Sequence, residues 1–213
     1  MKTALVTGGT VRLGKAIADR LAADGWRVLT SSHRPDAGAD IVADLSDPTG
    51  SVRLYAEALK LLEGAPPDAL VNNAALFTGD DAQVEAVNLE APRKLTMLMA
   101  GRETGIAAVV NILDADICFA ETAVDGAYAR SKRELGAFTR KAALMFSDNL
   151  RVNAVAPGAV IAPVALHVKA GEIPLARRPT ARDVAAAVSF LLNAESTTGA
   201  IIPVDSGRNL LLA

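Results

Sequence analysis

Tyr128 and Lys132 stand four residues apart in Tyr-Ala-Arg-Ser-Lys. In a helix that spacing puts a phenol and an ammonium on one face, a turn apart. A neighbouring ammonium favours the phenolate, so the pair predicts a tyrosine whose pKa falls from about 10 toward neutrality. Such a phenol passes a proton to a carbonyl or imine as hydride arrives from elsewhere. Tyr-x-x-x-Lys also arises by chance as a surface pair, so its weight depends on the rest of the chain.

The opening of the chain reads Leu5-Val-Thr-Gly-Gly-Thr-Val-Arg-Leu-Gly14. Gly8 permits a tight turn out of a strand, and Gly14 lets the next helix approach both the sheet and a pyrophosphate. Backbone N–H groups around Leu13 and Gly14 would then face an anion. Two glycines between a strand and a helix also fit a purely structural turn. Arg12, between them, offers a forked cation to phosphate or to a flat polar ligand. The alternative is a solvated arginine in the first helical turn, which the helix dipole does not favour.

A second strand ends in Ser31-Ser-His-Arg34, with no carboxylate before Asp36. An acid at this place would bind the ribose hydroxyls of NAD, whereas an arginine accommodates the 2′-phosphate of NADP. Ser32, His33 and Arg34 therefore predict NADPH over NADH. Asp44 and Leu45 follow a third strand, placed to flank an adenine, though Asp44 equally suits a helix N-terminus.

These groups need a scaffold, and the hydropathy pattern supplies one. Short apolar runs at 3–7, 27–31, 40–43, 69–72, 107–112, 151–155 and 200–204 alternate with helical patterns at 13–24, 50–62, 82–100, 127–147 and 181–193. Strands apolar at nearly every position are covered on both faces. The alternation implies right-handed crossovers and an α/β fold, a doubly wound parallel sheet with helices on both sides. Gly25 and Gly64 read as helix stops, and Thr180-Ala-Arg-Asp183 as a capping box. No repeat or linker interrupts the 213 residues, which predicts one domain over 1–213.

Composition narrows the partners. Lys and Arg number 22 against 24 acids, with no long basic run, so a nucleic-acid partner is not expected. The apolar stretch from 152 to 168 is broken by Pro157, Gly158 and Pro163, too often to span a bilayer. One cysteine, Cys118, excludes an internal disulfide and reads as a packing residue. No secretory leader pattern opens the sequence, so a cytoplasmic protein is expected. His33 and His167 have no metal-ligand spacing, and no metal is expected.

Taken in order, Thr7-Gly8…Gly14, Asn72-Asn73-Ala74, Asn88, Asn111, Tyr128…Lys132 and Pro157-Gly158 resemble the short-chain dehydrogenase/reductase family. The resemblance runs to Gly199-Ala-Ile-Ile-Pro-Val-Asp-Ser-Gly207 and implies a Rossmann fold. It further implies that the strand-four asparagines stabilise the sheet, that Asn88 holds a water in a proton relay with Lys132, and that Lys132 contacts the nicotinamide ribose. Asn73, Ala74, Pro157 and Gly158 fall at cofactor-binding positions. A homo-oligomer, tetramer or dimer, is implied as well, packed through the Tyr128 helix and the C-terminal segment.

Two positions depart from the common pattern. Asp114 stands where a catalytic serine is expected, and Arg12 replaces the middle glycine. Together they resemble the pteridine reductase branch. Phe77, in Asn72-Asn-Ala-Ala-Leu-Phe77, matches the position that stacks a pterin in that branch, and Asn88-Leu-Glu-Ala-Pro92 matches a further segment. On this reading Arg12, Phe77, Asp114 and Tyr128 contact the substrate, and Asp114 joins Tyr128, Lys132 and Asn88 in catalysis. Asp114 and Tyr128 then titrate as a coupled pair, the carboxylate raising the phenol pKa while Lys132 lowers it. Phe77 could instead be a core aromatic, and Asp114 a loop acid. The hydroxyl usual after Pro157-Gly158 is missing from Ala159-Val-Ile-Ala-Pro163, and a short lid is expected over about 159–179.

Three functions compete: an NADPH-dependent reductase of pterins or similar planar heterocycles, a reductase or dehydrogenase of an unrelated carbonyl or alcohol, and a non-catalytic dinucleotide sensor. Retention of Tyr128, Lys132 and Asn88 argues against the sensor, which has no need of a proton relay.

Overall fold

A computed structural model describes residues 1–103, 105–119, 125–160 and 173–212. Seven parallel strands form one sheet in the order β3-β2-β1-β4-β5-β6-β7. They are β1 (Thr3–Thr7), β2 (Arg27–Ser32), β3 (Ile41–Val42), β4 (Ala69–Asn72), β5 (Ala107–Ile112), β6 (Leu150–Pro157) and β7 (Ile201–Val204). The order reverses between β1 and β4, which leaves a crevice at the carboxyl ends of these strands. Gly8, His33, Asp44, Asn73, Asp114 and Gly158 each follow the carboxyl end of a strand, β1 to β6 in turn.

The helices are α1 (Arg12–Ala23), α2 (Gly50–Leu61), α3 (Asp81–Glu85), α4 (Ala91–Ala100), α5 (Ala115–Cys118), α6 (Ala127–Met145) and α7 (Ala181–Asn193). Alternating strand residues feed separate cores on the two faces of the sheet. Leu5, Leu29, Leu70 and Val109 pack with α2, α4 and α6 on one face. Ala4, Val6, Val71 and Val110 pack with α1 and α7 on the other. Leu5, Leu54, Leu95 and Leu21 are fully buried, each contributing about 1.5–3 kcal/mol. With both faces covered, strands apolar at every position are the required pattern, as expected.

One expected element is divided. The pattern over 82–100 predicts a single helix, but the chain forms α3, a π-turn over Ala86–Glu90, and then α4. Pro92 has no N–H to donate to the carbonyl of Asn88, four residues back. The ladder widens there, and the N–H of Ala91 bonds to the carbonyl of Ala86, five residues back. Asn88 therefore sits in the wide turn and is fully buried.

Local chemistry fixes other boundaries. Thr180 and Asp183 form the reciprocal cap at the start of α7. Trp26 is buried between α1 and β2, with the Lys2 ammonium 5.5 Å from its ring centre. The central part of the expected lid, with His167 and Pro163, lies outside the described residues.

Candidate active site

The loop after β1 is held by side chains from β4. Thr7 Oγ1 accepts from the N–H groups of Asn73 and Ala74, at 2.9 and 3.0 Å. Asn73 Nδ2 donates back to the carbonyls of Thr7 and Gly8. Gly8 adopts φ +63°, and a Cβ on Gly14 would collide with the Gly8 carbonyl oxygen. The glycines thus let the start of α1 close onto the loop. Asn73 and Ala74 act on this cradle by bracing it.

Arg12 opens α1 with φ +49°, a left-handed conformation that a non-glycine residue adopts at a cost of about 1–2 kcal/mol. Its side chain is exposed, with no hydrogen-bond or ion-pair partner among the described residues. A glycine would fit this backbone without strain, so the guanidinium stands here despite the local cost.

At the end of β2, Ser32 is buried and its Oγ accepts from the Arg34 N–H at 3.1 Å, which shapes the turn. His33 and Arg34 are exposed at the crevice edge. Asp44 accepts from both the N–H and the hydroxyl of Ser46, bonds that hold its carboxyl below the usual range. Leu45 is buried behind it. On the far side of the crevice, Pro157 ends β6 and the Gly158 N–H bonds to the Val204 carbonyl.

The chemical centre lies between these two margins. Tyr128 Oη donates to Asp114 Oδ2 at 3.0 Å. The Phe77 ring stands 4.8 Å from the Tyr128 ring, tilted by 31°, and is 65% exposed. That exposure excludes the core-aromatic alternative for Phe77. Lys132 is buried, with Nζ 5.7 Å from the Tyr128 ring centre, and donates to the Ile112 carbonyl at 2.9 Å. Burial lowers its pKa to about 8, against the opposing pull of Asp114.

Burial decides between the two opposed influences on the phenol. The i, i+4 spacing predicts that Lys132 lowers the phenol pKa, yet Tyr128 is pushed up, chiefly by burial and further by the Asp114 carboxylate. The ammonium is turned toward a main-chain carbonyl, while the carboxylate holds the phenol proton. Asp114 is itself raised by burial, offset in part by the Tyr128 hydrogen bond. Phenol and carboxyl form a coupled pair.

Asn88 has a positioning task that the sequence did not show. Its Oδ1 accepts from the Leu76 N–H and its Nδ2 donates to the Leu76 carbonyl, both at 2.8 Å. Both polar groups of the side chain are thus committed to the residue before Phe77, so Asn88 fixes the height of the aromatic wall. Asn72 donates to Asn111, and Asn111 to Thr139 on α6, tying the sheet to the Tyr128 helix. Sequence reasoning missed the Ile112 carbonyl as the lysine's anchor, since a backbone group leaves no sequence signal. Among the described residues no cluster of His, Cys, Asp or Glu could hold a metal.

The arrangement is a phenol–carboxyl pair beside a buried lysine, at the carboxyl edge of a parallel sheet, next to a glycine-built anion cradle. A profile for a family described as enoyl-(acyl carrier protein) reductase matches residues 11–209. The chain belongs to the short-chain dehydrogenase/reductase family. It is an oxidoreductase of that type. It is 31% identical to Protein FixR of Bradyrhizobium diazoefficiens, with 98% of this chain and 87% of that protein covered. It is 30% identical to galactitol 2-dehydrogenase of Rhizobium johnstonii, covering 96% and 93% of the two chains. Among solved structures, FolM alternative dihydrofolate reductase 1 from Brucella canis, complexed with NADP, superposes with a TM-score of 0.87 at 30% identity, covering 98% and 94%. No helix among the described residues is long and apolar enough to cross a membrane.

Proposed function

We propose that this protein is an NADPH-dependent reductase of a flat, π-rich heterocycle of the pterin type. The observation that carries the reading is the exposed Phe77 ring beside Tyr128, whose hydroxyl is bonded to Asp114 and not to a serine. The solved relative complexed with NADP, named an alternative dihydrofolate reductase, supports it.

The residues present fit a dinucleotide. The contact a Cβ would make at Gly14 shows a loop closed to the width only glycine allows, and the amides there suit a pyrophosphate. Gly8, Arg12, Leu13 and Gly14 would hold the phosphates, and Ser32, His33 and Arg34 the 2′-phosphate. Asp44, Leu45, Asn73, Ala74, Pro157 and Gly158 would border the rest, and Lys132 the ribose. When bound, NADPH supplies the hydride.

This chain's own side chains then manage one proton. With Asp114 ionised, the Tyr128 hydroxyl points at the carboxylate and is unavailable. A protonated Asp114 donates to the phenol oxygen instead, turning the phenolic hydrogen toward the substrate nitrogen. Tyr128 delivers that proton as the ring carbon takes hydride, and Asp114 replaces it. Phe77 stacks on the ring, and Arg12 addresses its polar edge. The raised pKa of Asp114 favours the state this sequence requires.

A second reading, reduction or oxidation of an unrelated carbonyl or alcohol, draws on the likeness to galactitol 2-dehydrogenase. It keeps Tyr128 and Lys132 and leaves Phe77 without a task. Following NADPH absorbance with dihydrobiopterin, dihydrofolate, quinones and sugars separates the two. Turnover is expected with the dihydropterins; turnover confined to sugars or quinones overturns the pterin reading. Exposed Leu144, Met145 and Phe190 on α6 and α7 suit burial against further copies of the chain, so a dimer or tetramer is part of the proposal. The segment over about 159–179 would act as a short lid.

A further inference from the structure

Near the carboxyl ends of β5 and β6, bordered in part by the two ends of the proposed lid segment, lies a cavity of about 180 Å³ to which no ligand has been assigned above. It is bordered by Asp116 of α5, Ala159 just after Pro157-Gly158, and Ile173, Arg178, Asp205 and Arg208. Asp116 is two residues beyond Asp114, so the cavity opens at the end of β5 and β6 where the reaction is placed. The N–H of Leu175 bonds to the Ser206 carbonyl, which ties two of its walls together.

The charges around it are unequally matched. Arg208 Nε donates to Asp116 at 2.7 Å. Asp205 is buried and accepts from the N–H groups of Gly207 and Asn209. Each carboxylate is therefore satisfied within the chain. Arg178 is not: its Nε is buried with no hydrogen-bond partner among the described residues. A buried guanidinium nitrogen without an acceptor is costly, and planar guanidinium groups match oxyanions with two parallel bonds. Ala159, Ile173 and Pro179 supply apolar walls beside it, room for a carbon skeleton and not only for a bare ion.

We propose that this cavity is a subsite for a carboxylate carried on a small organic substrate, with Arg178 as the group that binds it. The subsite rests on the proposed reductase reading only for where the reacting part of the substrate lies. A substrate spanning both would place its reducible bond at Tyr128 and its acidic end against Arg178. Arg178 is thereby a specificity-determining residue for acidic over neutral substrates.

The test requires no turnover, so its failure and the failure of the reductase reading are distinguishable. Benzoate and benzamide, equal in shape and different in charge, are titrated calorimetrically into the NADPH-loaded full chain. Benzoate binding with no detectable benzamide binding is expected. Arg178→Gln is expected to weaken benzoate by about tenfold or more, and Arg178→Lys to recover part of the loss, with NADPH affinity unchanged in both. Thermal unfolding checks that each variant is folded, and the lysine variant keeps the test open if the glutamine one is not. Equal binding of benzoate and benzamide, or benzoate affinity untouched in both variants, overturns the proposal.

Discussion

Replacing Lys132 with methionine is expected to stabilise the folded chain while destroying its activity. Lys132 is 3% exposed, and among the described residues its ammonium donates to one acceptor, the Ile112 carbonyl. Burial takes its pKa from 10.5 to about 8, which corresponds to a penalty of about 3 kcal/mol at neutral pH. Losing the hydrogen bond returns about 1 kcal/mol of that. Lys132→Met should therefore unfold about 2 kcal/mol later than wild type at pH 7 without cofactor. The sign of the pH dependence follows from the lowered folded pKa. Between about 8 and 10.5 the unfolded chain binds more protons than the folded one, so wild-type stability gains as pH rises through that window. The methionine variant lacks this gain, and its advantage should shrink from pH 7 to pH 10. Cys118 and Tyr128, both raised mainly by burial, act in the opposite direction in both proteins and largely cancel in the difference. Urea unfolding of the two proteins at stepped pH measures this. A variant less stable than wild type at pH 7, or a gap constant with pH, refutes the argument that the buried ammonium is held against its own solvation.

Tyr128→Phe should keep NADPH affinity within about twofold and lower kcat by about a thousandfold; single-turnover assays with a dihydropterin check it. Wild-type kcat is expected to fall as pH rises through the elevated pKa of Asp114; Asp114→Asn retains an N–H donor to the phenol oxygen, so its kcat should not. Asp114→Ala, with no donor, should lose about tenfold to a hundredfold at every pH, and steady-state pH profiles of the three proteins distinguish these outcomes. Gly14→Ala forces a methyl against the Gly8 carbonyl and should weaken NADPH by about a hundredfold with the far-ultraviolet circular dichroism intact, as read by fluorescence titration.

Much of this scaffold was legible because its physics is local. Strands covered on both faces need apolar residues throughout, and β1, β4 and β5 announce themselves in that way. The Thr180–Asp183 cap and the glycine-built cradle follow from spacing alone. Tyr128 and Lys132 likewise fall together on α6. The pairing of the phenol with Asp114 followed from the end of β5, but the balance against Lys132 did not, because i, i+4 spacing carries no measure of the burial that dominates it. The divided helix was masked by a continuous amphipathic pattern, although Pro92 four residues after Asn88 carried the signal. Arg178 had no legible role: its orphaned nitrogen depends on the packing of loops from three parts of the chain.

The Thr7 hydroxyl links the anion cradle to the main chain at residues 73 and 74, and two residues on, Asn88 grips Leu76 and so sets Phe77. On the proposed reading, nucleotide platform and aromatic ceiling are thus joined through hydrogen bonds at residues 73, 74 and 76. Tuning this enzyme toward a thicker substrate will require relocating the two together, because trimming residue 77 widens the gap without raising its roof.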